Sequence, residues 1–63
     1  MANWIDWAIF IAEIIIEILK KLPKMGYAAA RSLAFGTVAS RYGLDIDELE
    51  THCGDKVNKH FGK

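Results

Sequence analysis

Apolar positions crowd the first third of this chain. Of the nineteen residues from Trp4 to Leu22, fourteen are apolar, and seven of those are Ile. So many β-branched side chains also suit a strand, but the run lacks period-two alternation and is long for one, so the pattern predicts a helix. On a helical wheel Asp6, Glu13, Glu17, Lys20 and Lys24 fall in one narrow polar stripe, with Phe10 and Lys21 at its margin. Asn3 is placed to cap the helix, and Asp6 puts an acid where the helix dipole favours it. Lys20 and Lys21 suit the last turn, and Pro23 disfavours helical geometry at Leu22. The helix is expected over about residues 3–22.

A second helix is expected over about residues 26–42, closed by Gly43 in the left-handed conformation. Ala28, Ser32, Gly36 and Ser40 recur every four positions along it. That face has almost no side-chain bulk, which predicts close packing against another helix. Tyr27, Phe35, Val38 and Tyr42 are expected to pack into a core. The third helix, about residues 45–61, has the best-specified start: Asp45 and Glu48 form a variant of the capping box, and Leu44 is placed to staple to Leu49. Ile46, Leu49, Cys53, Val57, His60 and Phe61 follow helical spacing and form one apolar face. Gly54 interrupts it at a cost of about 1 kcal/mol relative to Ala, which allows a bend or break near it. The expected architecture is all-α, a small three-helix domain spanning residues 1–63.

Length makes the first helix a problem. A chain of 63 residues buries only about 60% of the surface its unfolded form exposes, and such domains usually need a disulfide, a metal or oligomerisation. The lone Cys53 cannot form an internal disulfide. Two neighbouring helices cover roughly half of a helix surface, and leaving five large apolar side chains in water forfeits about 10 kcal/mol, comparable to the whole stability of a small domain. The expectation is an oligomeric bundle, with Trp4, Trp7, Ile11, Ile14, Ile15, Ile18 and Leu22 as the oligomer or partner interface. A membrane span is the competing cover. Mid-helix acids cost about 2.5–3.5 kcal/mol each on insertion scales while each Ile returns about 0.3–0.6, so Glu13 and Glu17 outweigh the isoleucines. Membrane-surface helices usually carry a basic polar face, and this stripe mixes acids with lysines.

Charge is balanced overall, eight basic against eight acidic residues, so no net field draws the chain to nucleic acid or anionic lipid. Locally it is uneven. Asp45, Asp47, Glu48 and Glu50 form an acidic face on the third helix, with no Lys or Arg between residues 44 and 53. The stretch Val38-Ala39-Ser40-Arg41-Tyr42-Gly43-Leu44, followed by Leu49, resembles a helix-turn-helix, in the small residue of its first helix and the glycine of its turn. The resemblance covers about a dozen residues. It implies that the helix from Asp45 to Cys53 would enter a major groove. Four acids there oppose phosphate, since DNA affinity rests largely on Lys and Arg. Arg31 and Arg41 lie about 80° apart around their helix and make no patch.

Other chemistry is sparse. Adjacent His52 and Cys53 project about 100° apart on a helix and cannot share an ion undistorted. Glu48, His52 and Asp55 could form only a weak surface site, short of the four close ligands of structural zinc. Cys53 and His60 read as core-facing packing residues. Glu13 and Glu17 are explained by ion pairing with Lys20 and Lys21 at helical spacing. No catalytic, cofactor or metal residues are assigned, and the chain does not read as an enzyme. A single cysteine and no apolar leader point to the cytoplasm. The expected function is a non-enzymatic helical interaction protein, a homo-oligomer that also contacts another protein as an accessory or regulatory factor. A DNA-binding regulator dimerised through the first helix, and a membrane-associated protein, are the alternatives.

Overall fold

The computed structural model describes residues 4–63, the side chain of Ile5 apart. Three helices run in chain order: α1, Trp4–Lys20; α2, Tyr27–Tyr42; and α3, Ile46–His60. The proposed Asn3 cap of α1 lies outside the described residues. α1 ends two residues sooner than its apolar pattern. The Lys21 amide donates to the Ile18 carbonyl at 3.0 Å and the Leu22 amide to Leu19 at 3.1 Å. These i to i−3 bonds tighten the final turn just ahead of Pro23, which cannot continue the helix.

Both ends of the second connection are well determined. Gly43 takes the left-handed conformation (φ 65°, ψ 36°), and its amide and that of Leu44, at 2.8 Å, both donate to the Ala39 carbonyl. This satisfies α2's terminal turn and frees the chain to reverse within three residues. Asp45 then caps α3, its carboxylate accepting from the Asp47 amide at 2.8 Å and the Glu48 amide at 3.3 Å. Among the described residues Glu48 returns no bond to Asp45, so only half of the expected capping box forms. α3 runs unbroken through Gly54. The break allowed there does not form, and side chains of Arg31 from α2 and Glu50 from α3 pack over the glycine.

The core joins all three helices. Ile11 and Ile15 from α1, Val38 from α2, and Leu49, Cys53 and Val57 from α3 are its largest fully buried side chains. Ala8, Ala12, Ala30 and Ala34 lie among them. Short side chains at such positions let helix backbones approach, and one contact records that approach directly: the Cys53 thiol reaches the Ala8 carbonyl of α1 at 3.5 Å.

Several expectations change on this frame. Ile11 and Ile15, assigned to an interface between chains, are wholly enclosed within one chain. The other two helices enclose this face of α1, with Ala8 and Ala12 buried beside the two isoleucines. The stripe Ala28, Ser32, Gly36 and Ser40, expected to pack against a helix, faces outward. Phe35 and Val38 are buried as expected, and Ala30, Ala34 and Ala39 complete the buried face of α2, which combines aromatic and aliphatic bulk with close approach and leaves the hydroxyls in water. Tyr42, Ile46 and His60 were expected in the core and are exposed. All three fall near helix ends, where the neighbouring helices no longer cover them.

Polar contacts fasten α2 to α3. Arg31 binds the Glu50 carboxylate through two nitrogens, at 2.8 and 2.6 Å. Its Nε donates to Asn58 Oδ1 at 3.0 Å, the same oxygen that accepts from the Tyr27 hydroxyl at 2.7 Å. The guanidinium also lies over the Phe35 ring, 4.4 Å from its centre. The paired carboxylate holds Arg31 above the ordinary arginine value, against the opposing effect of burial.

Candidate functional site

Two features of the surface stand out. The first is what α1 leaves uncovered. Trp7, Ile9 and Phe10 are 42%, 58% and 52% exposed, and the polar stripe, Asp6, Glu13, Glu17 and Lys20, is exposed too, with Lys24, expected on the same stripe, exposed in the turn beyond the helix. By wheel position the stripe runs between two apolar flanks. Trp7, Phe10 and Ile14 form one flank, in which the Trp7 and Phe10 rings meet edge to face at 6.1 Å. Ile9 and Ile16 form the other. Within the stripe Glu17 and Lys20 approach to 3.9 Å, both largely in solvent, a separation and setting that contribute little.

The second is a cleft of about 510 Å³ where the N-terminal turns of α1 meet the corner between α2 and α3. Trp4, Trp7 and Ile11 line one side, and Tyr42, Gly43, Leu44, Asp45 and Glu48 the other. The left-handed turn at Gly43 creates it, since reversing the chain there sets Tyr42 and the first turn of α3 across from the two tryptophans. Trp4 is held by stacking on the His52 ring, at 4.7 Å and 10° between planes. Among the described residues the lining holds two carboxylates, Asp45 and Glu48, and no Lys or Arg. Aromatic faces beside carboxylates favour a cation.

The expected site residues scatter over this framework. Trp4 and Trp7 line the cleft, and Trp7 also begins the exposed flank. Ile14, Ile18 and Leu22 are half-buried against the core, and Ile11 and Ile15 belong to it. The acidic face divides by role: Asp45 caps α3, Glu50 is bound by Arg31, and Asp47 and Glu48 are exposed. A shallow groove along Ser32, Gly36 and Ser40 replaces the expected helix contact. The cleft, and the parts of Tyr42 and Phe10, were missed by sequence reasoning. The spacing of Trp7 and Phe10 on one helical face was a usable signal; the meeting of Tyr42 with Trp7 was not, because it depends on how the corner docks.

Metal-binding residue types point apart. His52 stacks on Trp4, Cys53 faces Ala8, and His60 sits edge-on to Phe61 at 4.9 Å. Among the described residues no group of three or more His, Cys, Asp or Glu is placed to hold an ion. Burial raises the Cys53 thiol above its ordinary value, with Lys56 pulling weakly the other way. A buried protonated thiol is a poor nucleophile. Among the described residues no helix is long and apolar enough to cross a membrane.

Comparison with protein-family models, with curated proteins and with solved structures gives no match to this chain. Its function is therefore read from its own residues.

Proposed function

We propose that this chain is a non-enzymatic interaction protein that self-associates through the uncovered face of α1 and acts, as an accessory or regulatory factor, by contact with another protein. The observation that carries this reading is the exposed pair Trp7 and Phe10 on a helix whose opposite face already supplies the core. Large apolar and aromatic side chains grouped on one exposed face mark contact surfaces, and aromatic anchors dominate the energetics of such contacts. The support is for a narrower surface than the whole helix, because Ile11 and Ile15 are spent on the chain's own core.

Sedimentation velocity across a wide concentration range tests it. The expected result is a concentration-dependent assembly that Phe10→Glu dissolves without loss of helicity. A chain that sediments as a monomer throughout, with no partner added, removes self-association.

The DNA-binding reading retains the Gly43 corner but gains no basic surface. Glu50 already occupies Arg31, and the exposed acids Asp47 and Glu48 stand on the helix that would enter the groove. Duplex binding at moderate salt that weakens on Arg41→Ala would revive it. For a membrane surface, the acids of the stripe lie between the two apolar flanks, and co-flotation with anionic vesicles is the corresponding test.

A further inference from the structure

We infer that the cleft between Trp7, Tyr42, Asp45 and Glu48 receives the Lys21 ammonium of a second copy, in an antiparallel two-fold pairing of α1 across Ile14; this rests on the self-association proposed above. Trp7 and Ile14 are spaced by seven residues of α1, so they share one side of the helix with only about 20° of drift, and Lys21, seven residues further, stands in the tightened turn just past its end. The same side carries Phe10. Lys21 follows directly on the last residue of α1 and is exposed.

Trp7 and Lys21 stand seven residues either side of Ile14. Two copies packed antiparallel at Ile14 therefore set Trp7 of each opposite Lys21 of the other, and Phe10 opposite Ile18. Such a contact is self-complementary, as a two-fold interface requires.

Charge selects this pairing over its parallel alternative. The end of α1 bordering the cleft carries Asp6, with Asp45 and Glu48 in the cleft wall, whereas the far end carries Lys20, Lys21 and Lys24. Antiparallel copies place lysines against acids at both ends; parallel copies place like against like. The cleft suits the incoming group in detail. An ammonium on a flexible stem lays its methylenes along indole and phenol rings and leaves its charge against the ring face and a carboxylate.

A pair of cysteines gives the direct test. Along one helix, residues 7 and 21 are about 21 Å apart, far beyond the roughly 7 Å Cα separation a disulfide spans. A bond between them must join two chains. Trp7 and Lys21 are both exposed, and far-ultraviolet circular dichroism checks that the variants keep their helices. Under mild oxidation a mixture of the Trp7→Cys chain with the Lys21→Cys chain, which keeps one native Trp7–Lys21 contact in each mixed pair, should form covalent dimer well above either variant alone, while Cys53 stays buried. Yields no higher than those of the single variants overturn the inference.

Charge exchange supplies the second readout. Lys21→Glu should weaken self-association about tenfold, and adding Glu48→Lys to the same chain should restore most of it, since the exchanged pair recreates the attraction. Association unchanged by Lys21→Glu overturns the inference and leaves the self-association reading standing. A wild-type chain that is monomeric at every concentration overturns both.

Discussion

Replacing Gly54 by alanine sets two effects of similar size against each other. Gly54 sits within α3, where alanine is worth about 1 kcal/mol more than glycine. A Cβ at this position would lie 2.9 Å from Arg31 Nη2 and 3.0 Å from Glu50 Oε1. Both obstacles are ends of flexible side chains, so the backbone need not move, but the Arg31–Glu50 pair must loosen. Glu50 is half-exposed, which limits the pair, two-pronged as it is, to about 0.5–1 kcal/mol. Gly54→Ala alone should therefore change stability by less than about 0.5 kcal/mol. Glu50→Ala alone should cost about 0.5–1 kcal/mol. With Glu50 shortened and Arg31 freed from it, the same alanine should yield its full helical gain, so the double variant exceeds the sum of the singles by about 0.5–1 kcal/mol. Urea unfolding followed by circular dichroism closes the cycle. Additivity within about 0.3 kcal/mol would mean the pair shifts aside freely, and the reasoning fails. A loss above about 2 kcal/mol in the single variant would refute it from the other side, by implicating backbone.

Other perturbations follow from the same contacts. Arg31→Lys should lose about 1–2 kcal/mol, since lysine cannot bridge Glu50 with two nitrogens while also reaching Asn58 and stacking on Phe35; urea midpoints measure it. Ile15→Ala should cost about 3–4 kcal/mol by opening a cavity at a site with no solvent contact, and loss of cooperative thermal unfolding would be its strongest form. Asp45→Ala should cost about 1 kcal/mol by uncapping α3, and a capping-competent Asp45→Ser should recover most of that. The raised Cys53 thiol makes stability pH-dependent in a defined sense. The native state keeps a proton that the unfolded chain gives up, so this contribution is flat below the ordinary thiol range and stability falls as pH rises through it. The wild type should lose stability between about pH 7 and about pH 10 more steeply than Cys53→Ser, and thiol reagents should label Cys53 only on unfolding.

Local signals in the sequence carried the helices well. The glycine at 43 and the aspartate at 45 closed and opened helices where expected, because each acts on its own backbone within a turn. Proline at 23 was read as a limit one or two residues late, since the tightened turn that precedes it leaves no trace in side-chain pattern. The small-residue stripe of α2 was misread for a different reason, although Phe35 and Val38 were placed in the core correctly. A four-residue recurrence of small residues permits close approach but does not require it, and the direction in which Phe35 and Val38 point decided which face turned inward. The same gap hid the candidate site. Trp7 was legible as an apolar helix position, yet its meeting with Tyr42 and Glu48, more than thirty residues away, depends on the docking angle of the α2–α3 corner, and no local rule encodes that angle. The pairing of Arg31 with Glu50 went unread for want of the same information.

The polar stripe on α1 makes the exposed surface of this helix two-sided. Because Asp6, Glu13, Glu17 and Lys20 separate the Trp7–Phe10 flank from Ile9 and Ile16, a contact that saturates one flank does not exhaust the other. If the first flank closes as a two-fold pair, Ile9 stays on the outer rim of that pair, available for a further neighbour. Valency, and with it the choice between a closed pair and an extended array, is then set by a single exposed isoleucine on the far side of a narrow band of charge.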